Sequence, residues 1–87
     1  MSYKVILSKI AYKDLKNLKS ANLLDKAKYL LEIIAENPFI TPPSFEKLLG
    51  EPTGVYSRRI NRKHRLVYSA YESNKTVHIA RMWTHYE

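Results

Sequence analysis

Two apolar series with helical spacing stand back to back near the N-terminus, and they set most of what this chain can become. Ala11, Leu15 and Leu18 fall at i, i+4 and i+7; after a break at Ser20 to Asn22, Leu23, Ala27, Leu30 and Ile34 repeat the stripe, widened by Leu24 and Leu31. Ser8 is a good N-cap for a first helix beginning at Lys9, and Asn37 ends the second because Pro38 follows it. The pair reads as an antiparallel helical hairpin with one broad apolar side. In a chain of 87 residues there is room for one domain, residues 1–87, with one modest core. That apolar side must therefore be laid on a sheet.

The rest of the chain supplies strands. Tyr3 to Leu7 is a β-branched and aromatic run, and Val55 to Ile60, Arg65 to Tyr71 and Thr76 to His85 are three more, separated by Asn61 to His64 and by the turn-forming Glu72 to Lys75. Residues 38–54 hold all four prolines and both glycines, which predicts an irregular connection anchored by Phe45 and Leu48. The order strand, helix, helix, strand, strand, strand predicts an α+β domain with the helical hairpin on one face of a mostly antiparallel sheet. The other face, and the long connection beside it, are left for function.

Composition narrows the chemistry. The chain has no cysteine, which excludes disulfides, thiolate metal sites and cysteine nucleophiles together. Its three histidines are scattered without ligand spacing, so neither a metal nor another cofactor is expected. Met1 to Leu7 is a short apolar strand interrupted by Lys9 and Lys13 rather than a signal peptide, and no run approaches the roughly 20 apolar residues of a membrane span. A cytoplasmic protein without a membrane partner is expected. Fifteen Lys and Arg against eight Asp and Glu leave a net charge of +7, which makes nucleic acid the first partner to consider; a lysine-rich surface that only aids solubility is the alternative.

The placement of that charge favours nucleic acid. Five of the fifteen cationic side chains, Arg58, Arg59, Arg62, Lys63 and Arg65, crowd into the segment YSRRINRKHRLVY, flanked by Tyr56 and Tyr68. Arginine forks suit phosphates and their planes suit bases, as single-stranded RNA requires. Arg58 and Arg59 are adjacent in a strand and point to opposite faces, so at most one lines a given site; the other pairs with a carboxylate or faces solvent. Whether Arg59 and Arg65 share a face depends on the hairpin register. Lys9, Lys13 and Lys16 make a second basic stripe on the first helix.

RNA can be cleaved by its own 2′-hydroxyl if one group removes its proton, another protonates the leaving 5′-oxygen and a cation stabilises the charged transition state. Glu46 in the long connection is a candidate base, His85 at the end of the last strand a candidate acid and Arg65 a phosphate clamp. A free histidine titrates near 6.5 and can donate at neutral pH, whereas a carboxylate beside arginines stays ionised. Tyr86, next to His85, could stack a base or hydrogen-bond to the histidine or the phosphate. On chemistry alone this set is a candidate, and Glu46 as a loop charge with His85 as an idle near-terminal residue is the plain alternative.

Three motifs together resemble the YoeB/Txe branch of the RelE superfamily, the toxin halves of type II toxin–antitoxin pairs. They are the E-x-L at Glu46 to Leu48, the SRRI-x-x-x-HRLVY block at Ser57 to Tyr68 and the closing His85–Tyr86 pair, and the similarity spans nearly the whole chain. The resemblance implies a RelE-like fold and an mRNA interferase that cuts messenger RNA on the ribosome without metal. It also implies Glu46 as general base, Arg65 as transition-state stabiliser, His85 as general acid, Tyr86 at the site and Arg59 on the RNA backbone. The lysine-rich first helix would meet ribosomal RNA. A cognate YefM/Phd-like antitoxin is implied as partner, and a homodimer is left open. Arg81 and Glu87 depart from the usual ending and receive no role.

Two other functions remain open at this point. A non-catalytic inhibitor of the same fold, similar to the ParE gyrase poisons, would carry the same charge but would not need the Glu, Arg and His set. A plain RNA-binding module would retain RNA without making new 5′ ends.

Overall fold

The computed structural model describes residues 2–48 and 54–83. The chain runs β1 (Lys4–Leu7), α1 (Lys9–Ser20), α2 (Leu24–Glu36), β2 (Glu46–Lys47), β3 (Val55–Arg59), β4 (Arg65–Tyr71) and β5 (Thr76–Arg81). The expected α+β arrangement is present, with one additional short strand.

The helical hairpin begins and turns for identifiable reasons. Ser8 has extended backbone, and its Oγ accepts the Ala11 N–H at 2.9 Å. The same hydroxyl donates to the Ala80 carbonyl at 2.8 Å, so one residue both caps α1 and ties it to β5. Such a cap contributes about 1 kcal/mol. At the far end Asn22 takes a left-handed φ of 60°. Its N–H bonds back to the Lys19 carbonyl at 3.2 Å and that of Leu23 to the Leu18 carbonyl at 2.8 Å. This is a Schellman motif, in which asparagine tolerates the conformation and the last carbonyls of the helix find donors. The break at Ser20 to Asn22 is thus a stop and a reversal in three residues. Asn37, ahead of Pro38, closes α2 with extended backbone.

The five strands lie in the order β1-β5-β4-β3-β2. β1 runs parallel to β5 and every other neighbour is antiparallel. Buried Leu66, Tyr68, Val77 and Ile79 pack against Ala11, Leu18, Ala27, Leu30 and Ile34 of the hairpin, with Met82 completing the core. Alternation along β3 and β4 turns Ser57, Arg59, Arg65 and Val67 to the side away from the helices.

Two boundaries differ from the sequence reading. Glu46 and Lys47, expected in an irregular connection, pair with Ser57 and Tyr56 as an edge strand. Two residues are too few to show a period of two, and the strand exists because β3 offers an open edge. The last strand ends at Arg81 instead of running on to His85, and His85 lies outside the described residues. The register slips between Val67↔Arg81 and Tyr68↔Ile79, which leaves Ala80 as an unpaired bulge. Beyond it the main-chain N–H groups of Met82 and Trp83 turn to the Asp14 carboxylate. No helix among the described residues is long and apolar enough to cross a membrane.

Candidate active site

An open cleft of about 290 Å³ at the β2 edge is lined by Ser44, Glu46, Ser57, Arg59 and Arg65. Four of its five residues come from three adjacent strands, and Ser44 stands just before β2. Pairing Glu46 with Ser57, Ser57 with Val67 and Arg59 with Arg65 puts all the cleft's strand residues in neighbouring rows of one face. The register that the sequence leaves open therefore sets Arg59 directly opposite Arg65. Cations at directly opposed cross-strand positions repel, and an anion such as phosphate offsets that repulsion.

Arg65 is the organising side chain. Its Nη1 donates to Glu46 Oε1 at 2.7 Å and to Ser57 Oγ at 3.1 Å. The Arg65 side chain is 19% exposed and that of Glu46 67% exposed. A mostly buried inner arginine thus holds an exposed outer carboxylate at the mouth of the cleft. Ser57 is fully buried. It anchors Arg65 from the floor of the cleft. Neither Ser57 nor Ser44 was singled out from sequence. The available signal for Ser57 is parity, since it stands two residues before Arg59 and shares its face.

Arg58 requires a correction. Read as an RNA-binding candidate that pairs with a carboxylate or faces solvent, it is instead 1% exposed and embedded on the helical side of the sheet. Its Nη2 donates to the Pro38 and Ile40 carbonyls at 3.0 and 2.9 Å, its Nη1 to the Pro43 carbonyl at 2.6 Å and its Nε to the Tyr68 hydroxyl at 3.2 Å. The guanidinium also lies 5.1 Å from the centre of the Phe45 ring. The physical reason is the proline-rich segment 38–43. Proline lacks an N–H and this segment builds no ladder of its own, so its carbonyls turn inward and need donors. The five-donor fork of one arginine supplies them. Phe39 and Phe45 each meet Tyr56 edge to face and each other at a tilt around this knot, with ring centres 5.3 to 5.9 Å apart. Arg58 is thus the strut that carries the chain into β2 and sets Glu46 over the cleft.

The other basic candidates are dispersed. Arg62 and Lys63 are exposed in the turn between β3 and β4. Lys9, Lys13 and Lys16 are exposed along α1, in the helical layer on the other side of the sheet. His85 and Tyr86 lie outside the described residues. Burial pushes the Tyr68 phenol upward, against the opposing pull of the Arg58 charge beside it.

The chain matches, over residues 7–86, the family described as YoeB-like toxin of bacterial type II toxin–antitoxin system. A toxin YoeB of a Synechocystis species is 46% identical over 56 residues, 64% of this chain and 58% of that protein's length. Among solved structures, the YoeB dimer from Staphylococcus aureus is 32% identical with a TM-score of 0.80, covering 99% of this chain and 100% of that one. The YoeB–YefM complex from the same organism is 34% identical with a TM-score of 0.77 and the same coverage. The mixed sheet under a helical hairpin is thus that of a known lineage, and this chain belongs to the YoeB-like toxins of bacterial type II toxin–antitoxin systems, within the RelE superfamily.

Proposed function

We propose that this toxin is a ribosome-dependent endoribonuclease that cleaves messenger RNA through attack of a 2′-hydroxyl on the adjacent phosphorus. The observation that carries the reading is the Glu46–Arg65 pair, a carboxylate and a guanidinium 2.7 Å apart in an open basic cleft. In this scheme Glu46 takes the 2′-hydroxyl proton. Arg65, with Arg59 opposite, stabilises the charge that builds on the phosphoryl oxygens. His85 gives a proton to the departing 5′-oxygen, and Tyr86, next to it in sequence, contacts the base or phosphate. The products are a 2′,3′-cyclic phosphate and a free 5′-hydroxyl. The scheme routes no step through a metal.

The Arg65–Glu46 ion pair suits this cycle. A phosphate entering between Arg59 and Arg65 replaces the carboxylate as acceptor, and Glu46 is released at the moment when a base is needed. Lys9, Lys13, Lys16, Arg58's exposed neighbour Arg59, Arg62 and Lys63 spread positive charge over both sides of the molecule, as a small protein wedged among ribosomal RNA strands would use. We also propose a YefM-like antitoxin as partner and self-association as a dimer, because the Staphylococcus aureus relatives are a YoeB dimer and a YoeB–YefM complex.

The test is cleavage of mRNA on programmed ribosomes in the presence of a chelator. The wild-type protein should leave 2′,3′-cyclic phosphate ends, and Glu46→Gln, Arg65→Ala and His85→Gln should each be slower by about 10²- to 10⁴-fold. Wild-type rates in all three variants would sink the assignment.

A further inference from the structure

The sheet face that carries the cleft continues past it, and the register divides it into rows. Arg59 and Arg65 form the first row and buried Ser57 and Val67 the second. Ile6, His78, Ser69 and Val55 form the third, and Lys4, Thr76 and Tyr71 the fourth. Rows are two residues apart along a strand, so Tyr71 stands about 20 Å from Arg65 on β4. The far rows differ in character from the cleft. Ile6 is 40% and Tyr71 39% exposed, and His78 and Lys4 are exposed beside them. None of these four residues has a part in the scheme above.

Tyr71 and His78 are diagonal neighbours on adjacent strands, since Tyr71 pairs with Thr76 and Ser69 with His78. Their ring centres are 5.1 Å apart and their planes 63° from parallel. In such an edge-to-face pair the ring that supplies the edge keeps both of its faces clear of the other. Two exposed flat rings with an ammonium in the adjoining row have the chemistry of a base-stacking surface: the rings take a base and the lysine takes its phosphate. A second copy of the chain fits this surface less well. Two apolar side chains about 40% exposed fall far short of the roughly 800 Å² that each partner of a stable dimer buries, and the copy would bring a net charge of +7 against Lys4.

We propose that the Tyr71–His78 pair is a stacking platform for bases of single-stranded RNA, with Ile6 at its margin and Lys4 as a phosphate contact, and that it holds the strand whose backbone enters between Arg59 and Arg65. The inference rests on the reading of the cleft as an RNA site for the far end of the strand, and on the exposed ring pair alone for the platform. Every base has a π-face, so a hold of this kind adds affinity for the message without selecting its sequence.

The test is binding without cleavage. A fluorescein-labelled RNA of about nine nucleotides spans more than 20 Å even at the stacked rise of about 3.4 Å per nucleotide, and 2′-O-methyl groups block attack. By fluorescence anisotropy, Tyr71→Ala and His78→Ala should each weaken its binding about fivefold to a hundredfold, and Tyr71→Phe should bind as the wild type does. An abasic strand of the same length should bind the wild type and Tyr71→Ala alike, whereas Arg59→Ala should weaken both strands. Both alanine variants are at exposed positions and should keep the wild-type thermal transition; if Tyr71→Ala does not, His78→Ala carries the test. Wild-type affinity for the base-bearing strand in both variants overturns the platform, and so does an equal loss on the abasic strand. Conversion of a dimer to a monomer by Tyr71→Ala, with RNA affinity unchanged, overturns it in favour of self-association. Wild-type binding by Arg59→Ala, with the loss in Tyr71→Ala intact, supports the platform and overturns instead the reading of the cleft.

Discussion

Glu46 and Arg65 stand 2.7 Å apart across two strands, although 19 residues separate them in the chain, and their burial is unequal. The arginine is anchored by buried Ser57 and the carboxylate is two-thirds exposed. An ion pair this open contributes about 1 kcal/mol or less, since solvent screens it and side-chain entropy opposes it. The pair is therefore poorly suited to hold the fold and well suited to exchange partners.

That separation of activity from stability is measurable. Glu46→Gln should shift the unfolding free energy by no more than about 1 kcal/mol while slowing RNA cleavage by about 10²-fold or more. Denaturant melts and ribosome cleavage assays on one preparation check both halves. A large stability loss would mean that the carboxylate is structural.

Arg58 and Arg59 are adjacent and should respond in opposite ways. Arg58→Ala strands the inward Ile40 and Pro43 carbonyls, while the Pro38 carbonyl and the Tyr68 hydroxyl keep each other, and at about 1 to 3 kcal/mol per unsatisfied group it should cost about 2 kcal/mol or more. Arg58→Lys should recover little, because an ammonium lacks the planar fork. Arg59→Ala, at an exposed cleft position, should leave stability within about 0.5 kcal/mol and weaken RNA binding. Paired melts and filter-binding titrations distinguish the two.

Tyr68 sets an alkaline limit. Burial raises its phenol above the ordinary value of 10.0, and Arg58 offsets this only in part, so the folded protein holds the proton more tightly than the unfolded chain. The resulting stability is complete below about pH 10 and is lost as pH rises through the folded value. Ultraviolet titration of phenolate should show one tyrosine that ionises only with unfolding, and Tyr68→Phe should remove it. The variant should also lose about 1 kcal/mol at neutral pH, because the hydroxyl donates to the Pro38 carbonyl at 2.8 Å.

The basic stripe of α1 should act on affinity and not on chemistry. Replacing Lys9, Lys13 and Lys16 by glutamine should raise KM for ribosome-bound mRNA and leave kcat nearly unchanged. The salt dependence of binding should fall by about 0.7 to 0.9 in log–log slope for each phosphate contact removed. An unaltered slope would place those lysines outside the interface.

Local rules carried most of the fold. The period of 3.6 in residues 11–34, the Ser8 cap, the Asn22 reversal and the strand runs of 55–81 all reflect interactions between near neighbours, so they can be read from order alone. The basic cluster was equally plain. What the sequence could not distribute was the cluster itself. Arg58 and Arg59 are the same residue type in consecutive positions, and only the packing of the proline-rich segment against the helical side turned one into a core strut and left the other in the cleft. The buried Asp14 was invisible for the same reason, since its donors Arg81, Met82 and Trp83 lie 67 to 69 residues away. Composition and periodicity determined a basic sheet under a helical hairpin. Register, the Ala80 bulge and the partners of buried polar groups decided which charges meet, because those depend on contacts between distant strands that no local pattern encodes.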